Sequence, residues 1–264
     1  MEEARWLGSV ILEKNGHIAV IYLNHPESLN AFSQELKECL LVKLKEVEAD
    51  PFIQIVILSG KGKSFCAGGD LKGMSKDYTA IELKQIMDQA SSIVDKIRKM
   101  PKLFIAAVHG YAAGAGMSLA LASDLIVAEK GSKFVLSFKN VGLIPDLGLL
   151  YHLPKKVGEW KAKEWIWKGA TIPIEEAFDY GIVSEITPKG QVLDRSMELA
   201  EEFLQGAMQA LIQSKIIINQ SSNLSFDEVL QKENMTQTIL RKTTDHKEGV
   251  MAFLEKRNPV FNGK

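Results

Sequence analysis

The sequence has little cysteine, almost no net charge and no long apolar run. Cys39 and Cys66 are the only cysteines among 264 residues, too few for a disulfide framework or for a zinc site on their own, which favours a reducing compartment. The 32 basic residues are balanced by 33 acidic ones, for a net charge of −1, so there is no basic excess to attract nucleic acid. Apolar runs such as Leu103–Val108 are far too short to cross a bilayer.

The N-terminus also lacks the pattern of a secretory signal. Charged residues stand at positions 2, 3 and 5 with no apolar stretch behind them, so we expect no signal peptide and a cytoplasmic protein. With 46% hydrophobic residues, the chain can bury a sizeable core as one large or two smaller domains.

The first half of the chain alternates strand and helix patterns. Asn15-Gly16 separates two short apolar runs and predicts a tight hairpin. Leu36, Leu40, Leu44 and Val47 recur on one helical face, and Ser33 is a candidate N-cap. Further strands are predicted at Ile53–Leu58, Leu103–Val108, Asp124–Ala128 and Phe134–Leu136, with helices at Ile81–Lys99 and Gly114–Ala122.

After about residue 147 the strand signal nearly vanishes. Helices are predicted at Trp160–Lys168, Ile174–Tyr180, Asp194–Asn219, Phe226–Arg241 and His246–Lys256, with Gly181–Ile186 extended. The fold class is therefore α/β, with a sheet covered by helices. The helical tail could complete the core or dock onto a neighbouring subunit.

Two loops rich in small residues follow predicted strands. Ser64–Lys72 follows the predicted strand Ile53–Leu58. His109–Leu119 follows the predicted strand Leu103–Val108 and enters a helix. Small residues let backbone amides approach a ligand, and free N–H groups at a helix start stabilise negative charge. The dinucleotide and P-loop spacings both fail here. Two such loops could each supply one amide to the same oxygen, as in an oxyanion hole. For the Ser64–Lys72 stretch taken alone, the alternative is a plain strand-to-helix turn.

A third stretch, Val141–Gly148, places Asp146 in an apolar turn punctuated by glycine and proline. Desolvation there would raise the pKa of the carboxylate and make it a better base. An aspartate after proline is otherwise typical of a turn or a helix N-cap.

Six segments in order resemble the crotonase, or enoyl-CoA hydratase/isomerase, superfamily. They are Asn24–Ala31, Phe65–Lys72, Gly110–Asp124, Gly142–Asp146, Ala177–Val183 and Phe253–Phe261. The resemblance implies a spiral of ββα units over residues 1–200 and a helical trimerisation region over 201–264. It implies acyl-CoA thioester substrates, an enolate stabilised by the amides of Gly69 and Ala115, and a homotrimer or a dimer of trimers.

The carboxylates decide which member of that superfamily is expected. Family hydratases use two glutamates, at the positions of Ser118 and Phe138 here, whereas Asp146 matches the lone acid of several isomerases. The Gly-Leu-Ile-Pro-Asp run resembles the phenylacetate-pathway isomerase branch. We therefore expect an enzyme that shifts a C=C bond from 3-enoyl-CoA to 2-enoyl-CoA, or a ring analogue, with Asp146 as base and then acid. The alternatives are an enoyl-CoA hydratase and a non-catalytic acyl-CoA-binding member.

The resemblance also implies where coenzyme A would bind, as part of the substrate and without any prosthetic group or metal. Ser28, Leu29 and Ala31 are expected to contact the pantetheine, and Ala67, Gly69, Asp70 and Leu71 the adenine end. Phe253 and Lys256 are also expected to contact coenzyme A. In some members of the family, the residues at these two positions reach the ligand of a neighbouring subunit. For Asp70, holding the loop or capping a helix is favoured over a part in catalysis. Lys256 could instead be a surface lysine. Cys66 and Asp124 are read as structural.

Overall fold

Two sheets form the framework of the computed structural model, which describes residues 8–263. The strands are β1 Val10–Asn15, β2 Ile18–Leu23, β3 Ile55–Gly60, β4 Leu103–Val108, β5 Tyr111–Ala113, β6 Leu125–Glu129, β7 Lys133–Val135, β8 Thr171–Pro173 and β9 Glu185–Thr187. The six-stranded sheet has the order β1-β2-β3-β4-β6-β9, and the three-stranded sheet has the order β5-β7-β8. In the larger sheet only β1 and β2 pair antiparallel.

Helices cover both faces of the larger sheet, which confirms the α/β class. They are α1 Gln34–Ala49, α2 Leu71–Met74, α3 Ala80–Lys99, α4 Ala115–Ala122, α5 Leu149–Val157, α6 Glu159–Lys168, α7 Ile174–Asp179, α8 Val192–Leu204, α9 Met208–Ser221, α10 Phe226–Leu240 and α11 Thr244–Glu255. None of the helices within residues 8–263 combines the length and the apolar character that crossing a lipid bilayer requires.

Local sequence explains the elements nearest the candidate site. The Ser33 side chain accepts a hydrogen bond from the Leu36 amide at 3.2 Å, so α1 begins where its N-cap was predicted. Alternate residues of β4 belong to two core clusters, with Phe104 in one and Ile105 in the other. A parallel strand buried on both faces reads as a continuous apolar run, and the predicted bounds of β4 are confirmed.

The single helix predicted over Asp194–Asn219 is wrong. The structure has α8 and α9 there, separated by a break at Gly206, because glycine is a poor helix former. The strands β5 and β8 and the helix α5 were not predicted. Three-residue strands carry too little periodicity to detect, and Pro154 lies within α5, where proline normally argues against a helix.

Among the C-terminal helices, α9 packs against the large sheet, whereas α10 and α11 expose apolar side chains. Met208 and Ile212 of α9 pack with strand residues on one face of the large sheet. Lys215 Nζ forms a buried ion pair with Asp124 Oδ2 at 2.8 Å and also donates to the Lys102 carbonyl oxygen at 2.6 Å. Helices α10 and α11 instead expose large apolar side chains, among them Phe226, Met235, Ile239, Phe253 and Leu254. The boundary at residue 200 stays a prediction.

Candidate active site

The two small-residue loops run side by side. Cys66 and Ala112 form a parallel β-bridge, and the Ala113 amide donates to the Cys66 carbonyl oxygen at 2.9 Å. Glycine makes this approach possible at two positions. A Cβ on Gly68, whose φ is +93°, would lie 2.6 Å from the Ala113 carbonyl oxygen, and one on Gly116 would lie 2.3 Å from the Cys66 carbonyl oxygen. The loops are therefore locked together at backbone distance.

Two amides beyond this contact are free to bind an oxygen. Neither Gly69 N–H nor Ala115 N–H donates a hydrogen bond to any residue between 8 and 263. Ala115 is the first residue of α4, and the first amides of a helix have no acceptor within it. The helix dipole also favours negative charge at this end. The arrangement can stabilise an oxyanion, provided that the ligand oxygen reaches both amides.

Asp146 is tied to the same helix. Ser118 Oγ, one turn after Ala115, donates to the Asp146 carbonyl oxygen at 3.0 Å. The carboxyl group is half-buried, and its Oδ1 is enclosed without a hydrogen-bond partner in the described chain. Burial raises the pKa of Asp146, while its own backbone N–H and the charge of Lys37 act in the opposite direction. Leu147, the next residue, has a left-handed φ of +51°, a conformation that strains a non-glycine residue.

The two positions where the resemblance leads us to expect hydratase glutamates, Ser118 and Phe138, also lie near the start of α4. Ser118 is fully buried, and Phe138 is 9% exposed. The Phe138 ring faces the loop before α4, since a Cβ on Gly114 would lie 3.7 Å from Phe138 Cζ. Neither side chain can exchange a proton as a carboxylate does, so Asp146 is left without an acidic partner at these positions.

Asn30 holds the predicted pantetheine loop against the first small-residue loop. Its fully buried Nδ2 donates to the carbonyl oxygens of Lys61, Ser64 and Phe65 at 2.9, 2.8 and 3.3 Å. Leu29 and Asn30 both have left-handed φ values, and the Ala67 amide donates to the Leu29 carbonyl oxygen at 2.9 Å. Leu29 is therefore placed against Ala67, with Ser28 and Ala31 close by in the chain. The sequence motif contained Asn30, but its role as a clamp was missed.

Asp70 and Leu71 lie directly after Gly69. Asp70 Oδ1 accepts a hydrogen bond from the Lys72 amide at 3.1 Å, so the helix-capping alternative is confirmed. Leu71 is 64% exposed. Other exposed apolar side chains occur on α2 and in the segment before Asp146: Met74, Val141, Leu143 and Ile144. Exposed apolar groups around a polar centre are typical of a ligand-binding groove.

Phe253 and Lys256 are not brought to this site within one chain. They lie at the end of α11, and no hydrogen bond or ion pair in residues 8–263 connects the Lys256 side chain to the loops. The chain end following α11 reaches Gln54, where a Cβ on Gly263 would lie 3.4 Å from Gln54 Nε2. Gln54 directly precedes β3 and therefore lies at the opposite end of that strand from the loop that follows it.

The structural readings of Cys66 and Asp124 are confirmed. Burial raises the pKa of the Cys66 thiol to about 12, so it stays protonated and unreactive at neutral pH. Asp124 accepts a hydrogen bond from the Phe104 amide at 2.7 Å and pairs with Lys215.

Comparison with known proteins identifies the class to which this fold and site belong. The enoyl-CoA hydratase/isomerase family profile matches residues 13–264. A crystal structure of an enoyl-CoA hydratase from Polaromonas sp. JS666 superposes with a TM-score of 0.92 at 32% identity, covering 97% of this chain and 100% of that one. The chain has the crotonase fold and belongs to the enoyl-CoA hydratase/isomerase family, whose members act on acyl-CoA thioesters.

Relatives within the family differ in reaction. YhaR of Bacillus subtilis (strain 168), whose name joins hydratase and isomerase, is 38% identical over 251 residues, which is 94% of this chain and 96% of that protein. The 1,2-epoxyphenylacetyl-CoA isomerase of Escherichia coli (strain K12) is 35% identical over 250 residues, 94% of this chain and 95% of that enzyme. Family membership alone therefore leaves the choice between isomerisation and hydration to the site residues.

Proposed function

We propose that this enzyme moves a carbon–carbon double bond in an acyl-CoA, converting a 3-enoyl-CoA or a ring analogue into the 2-enoyl isomer. The observation that carries the proposal is the half-buried Asp146 carboxyl, whose Oδ1 has no hydrogen-bond partner among residues 8–263. In addition, Ser118 and Phe138 stand at the two positions where the resemblance leads us to expect the glutamates of a hydratase. A single carboxylate suffices for isomerisation, because the proton taken from one carbon is returned to another. Hydration also needs an activated water, which the paired glutamates of hydratases supply.

The reaction would begin with the thioester oxygen accepting hydrogen bonds from the amides of Gly69 and Ala115. Asp146, ionised, removes a proton from C2, and the electron pair delocalises over C2–C4 and the thioester oxygen as a dienolate. The protonated Asp146 then returns the proton to C4, which leaves the double bond between C2 and C3. Each oxyanion-type donor contributes about 10²–10³ in rate in comparable sites.

The remaining roles belong to the same proposal. Coenzyme A enters only as part of the substrate, with Ser28, Leu29, Ala31, Ala67, Asp70 and Leu71 as its contacts and no prosthetic group or metal. The protein acts in the cytoplasm. It assembles as a homotrimer or a dimer of trimers, and this assembly would cover the apolar faces of α10 and α11. Light scattering that finds a stable monomer would remove the assembly from the proposal.

Asp146→Asn tests the reaction. We expect isomerisation of a 3-enoyl-CoA to fall by about 10²–10⁴-fold, the usual contribution of a general acid–base group, with the Kd for a saturated acyl-CoA little changed. Asp70→Asn is the comparison variant, since it removes the carboxylate of a proposed coenzyme A contact but keeps an oxygen that can cap α2. Its loss of turnover should be far smaller than that of Asp146→Asn.

Two outcomes would replace the proposal. Efficient water addition to a 2-enoyl-CoA by the wild type, unaffected by Asp146→Asn, would make the protein a hydratase. Tight binding of a broad acyl-CoA panel without turnover would make it a non-catalytic binder.

A further inference from the structure

His25 begins the predicted pantetheine loop, residues 25–31, and both of its ring nitrogens are hydrogen-bonded. Nδ1 lies 2.9 Å from Glu27 Oε1, and Nε2 lies 2.6 Å from Ser9 Oγ. Ser9 in turn donates its hydroxyl proton to Glu35 Oε1 on α1, and that oxygen is 3.6 Å from His25 Nε2. The ring therefore stands between two carboxylates, Glu27 from its own loop and Glu35 from α1. Within residues 8–263 no other ion pair includes His25.

The protons along this chain of hydrogen bonds determine the form of His25 that satisfies it. A hydroxyl has one proton to give, and an ionised carboxylate only accepts. Because the Ser9 proton is directed at Glu35, His25 Nε2 must donate to Ser9. Nδ1 must donate to Glu27, since the Glu27 backbone N–H, helped by His25, lowers the pKa of that carboxyl and keeps it ionised. Only the imidazolium form has both N–H groups that these contacts require.

The sequence serine–histidine–carboxylate is also that of a nucleophilic triad, but Ser9 is not placed to attack a substrate. Ser9 is 2% exposed, and its proton points toward Glu35 and away from His25. The Cys39 thiol is also hydrogen-bonded to Ser9, and burial raises the pKa of this thiol, so it adds no charge. The cluster therefore holds the His25 ring in place.

The backbone of His25 connects the cluster to the loop. Its amide donates to Asn30 Oδ1 at 2.8 Å, and the Asn30 amide donates to the His25 carbonyl oxygen at 2.9 Å. Leu29, between these two residues, accepts a hydrogen bond from the Ala67 amide at 2.9 Å. Asn30 thus holds one end of the loop, and the His25 side chain holds the other end against α1 and the segment before β1.

We propose that His25, as an imidazolium, is a positioning residue that keeps the pantetheine loop in its binding conformation, so that acyl-CoA binds more weakly once the ring loses its proton. A neutral ring has a single N–H and must give up either Glu27 or Ser9. Since charge-assisted hydrogen bonds are the stronger ones, this loss releases the end of the loop at His25. The inference rests on the proposed function in one respect, the assignment of Ser28, Leu29 and Ala31 as pantetheine contacts.

The test is the Kd of butyryl-CoA, measured by calorimetry from about pH 5.5 to about pH 8.5, the range in which imidazoles lose their charge. This saturated chain does not isomerise, so its Kd is measurable whatever reaction the enzyme performs. We expect the wild-type Kd to rise about 10-fold across this range, as for the loss of one hydrogen bond between charged groups. A phosphate monoester of the coenzyme titrates in the same range, so the comparison between variants is decisive.

Two variants and one control separate the His25 ring from other titrating groups. Glu27→Gln should bind about 10-fold more tightly than the wild type at the high-pH end, because an amide can accept from Nδ1–H or donate to a bare Nδ1. His25→Gln should show the weak, high-pH Kd throughout. His17→Gln is the matched control: His17 contacts the Phe52 carbonyl oxygen at 2.7 Å, outside the loop, and its loss should leave the wild-type profile unchanged.

Glu27→Gln keeps the inference testable even where His25→Gln impairs folding, since the Glu27 side chain is 70% exposed. A merely structural role would lower stability in urea unfolding without making Glu27→Gln the tighter binder at high pH. The wild-type Kd profile in both variants, or an altered profile in His17→Gln, would overturn the inference. Absence of isomerisation with the profiles as expected would overturn the reaction and leave the role of His25 standing. Absence of acyl-CoA binding by the wild type would overturn both.

Discussion

Gly116 offers the sharpest test of the idea that the two loops must touch for the site to form. In Gly116→Ala the new Cβ would lie 2.3 Å from the Cys66 carbonyl oxygen and 2.8 Å from Cys66 Cβ. Cβ atoms essentially never approach other heavy atoms closer than 3.0 Å, so the start of α4 must shift by at least about 0.7 Å. Two backbone hydrogen bonds hold Cys66 in place: its amide donates to the Tyr111 carbonyl oxygen at 3.0 Å, and its carbonyl oxygen accepts from the Ala113 amide at 2.9 Å.

The shift should damage both stability and activity. Overpacking of this kind costs about 1–3 kcal/mol of unfolding free energy. Displacing the Ala115 amide by a comparable distance relative to Gly69 should lower kcat/KM on the order of 10²-fold. Urea unfolding and steady-state kinetics measure the two effects separately, and the Kd of a saturated acyl-CoA reports the binding loss without turnover.

Gly249→Ala is the matched control, the same change in another helix. Its Cβ would be in ordinary contact with Phe261, at 3.5 Å, so the higher helix propensity of alanine should stabilise the protein by about 0.5–1 kcal/mol. If Gly116→Ala behaved like Gly249→Ala, with no loss of stability or turnover, the close approach of the loops would not determine the site.

Three further predictions concern the proposed base Asp146, the buried Lys215–Asp124 ion pair and the hydrogen bonds of Asn30. Since burial raises the pKa of Asp146 and the ionised form is the base, the acid limb of the kcat/KM–pH profile should lie above the ordinary value of about 3.9; Lys37→Met should move it higher still, and a limb at or below 3.9 would contradict this. Lys215→Met should lower the unfolding free energy by about 3–5 kcal/mol, because it leaves Asp124 buried and unpaired; urea unfolding measures this, and a loss under about 1 kcal/mol would count against it. Asn30→Gly, which tolerates the left-handed φ but leaves three carbonyls without their donor, should weaken acyl-CoA binding in calorimetry, and an unchanged Kd would refute the clamp.

Local features made part of the fold predictable. The Ser33 cap and the apolar face of α1 are read from residues three and four positions apart, and the six apolar residues of β4 need no distant information. The two loops with small residues were also visible, because glycine and alanine at the ends of strands stand out in any sequence. The order of six motifs then placed Asp146 in a family context.

Contacts between distant segments could not be read in this way. Lys37 follows a core residue on α1 and looks like an ordinary surface lysine, because nothing nearby in the sequence indicates that it is only 8% exposed in the folded chain. The hydrogen bond from Ser118 to the Asp146 carbonyl oxygen and the hydrogen bonds from Asn30 to three carbonyl oxygens also join segments that are far apart in the sequence.

The sequence by itself determined the α/β class and the positions of most helices and strands, and these follow from local periodicity, which needs no third dimension. Its resemblance to the family added the expectation that Ser118 and Phe138 stand where hydratases carry glutamates. Only the tertiary structure decided that the amides of Gly69 and Ala115 lie on adjoining loops and that Asp146 Oδ1 is enclosed without a partner among residues 8–263. Burial and hydrogen-bond satisfaction depend on which remote segments pack together, and that is a property of the folded chain.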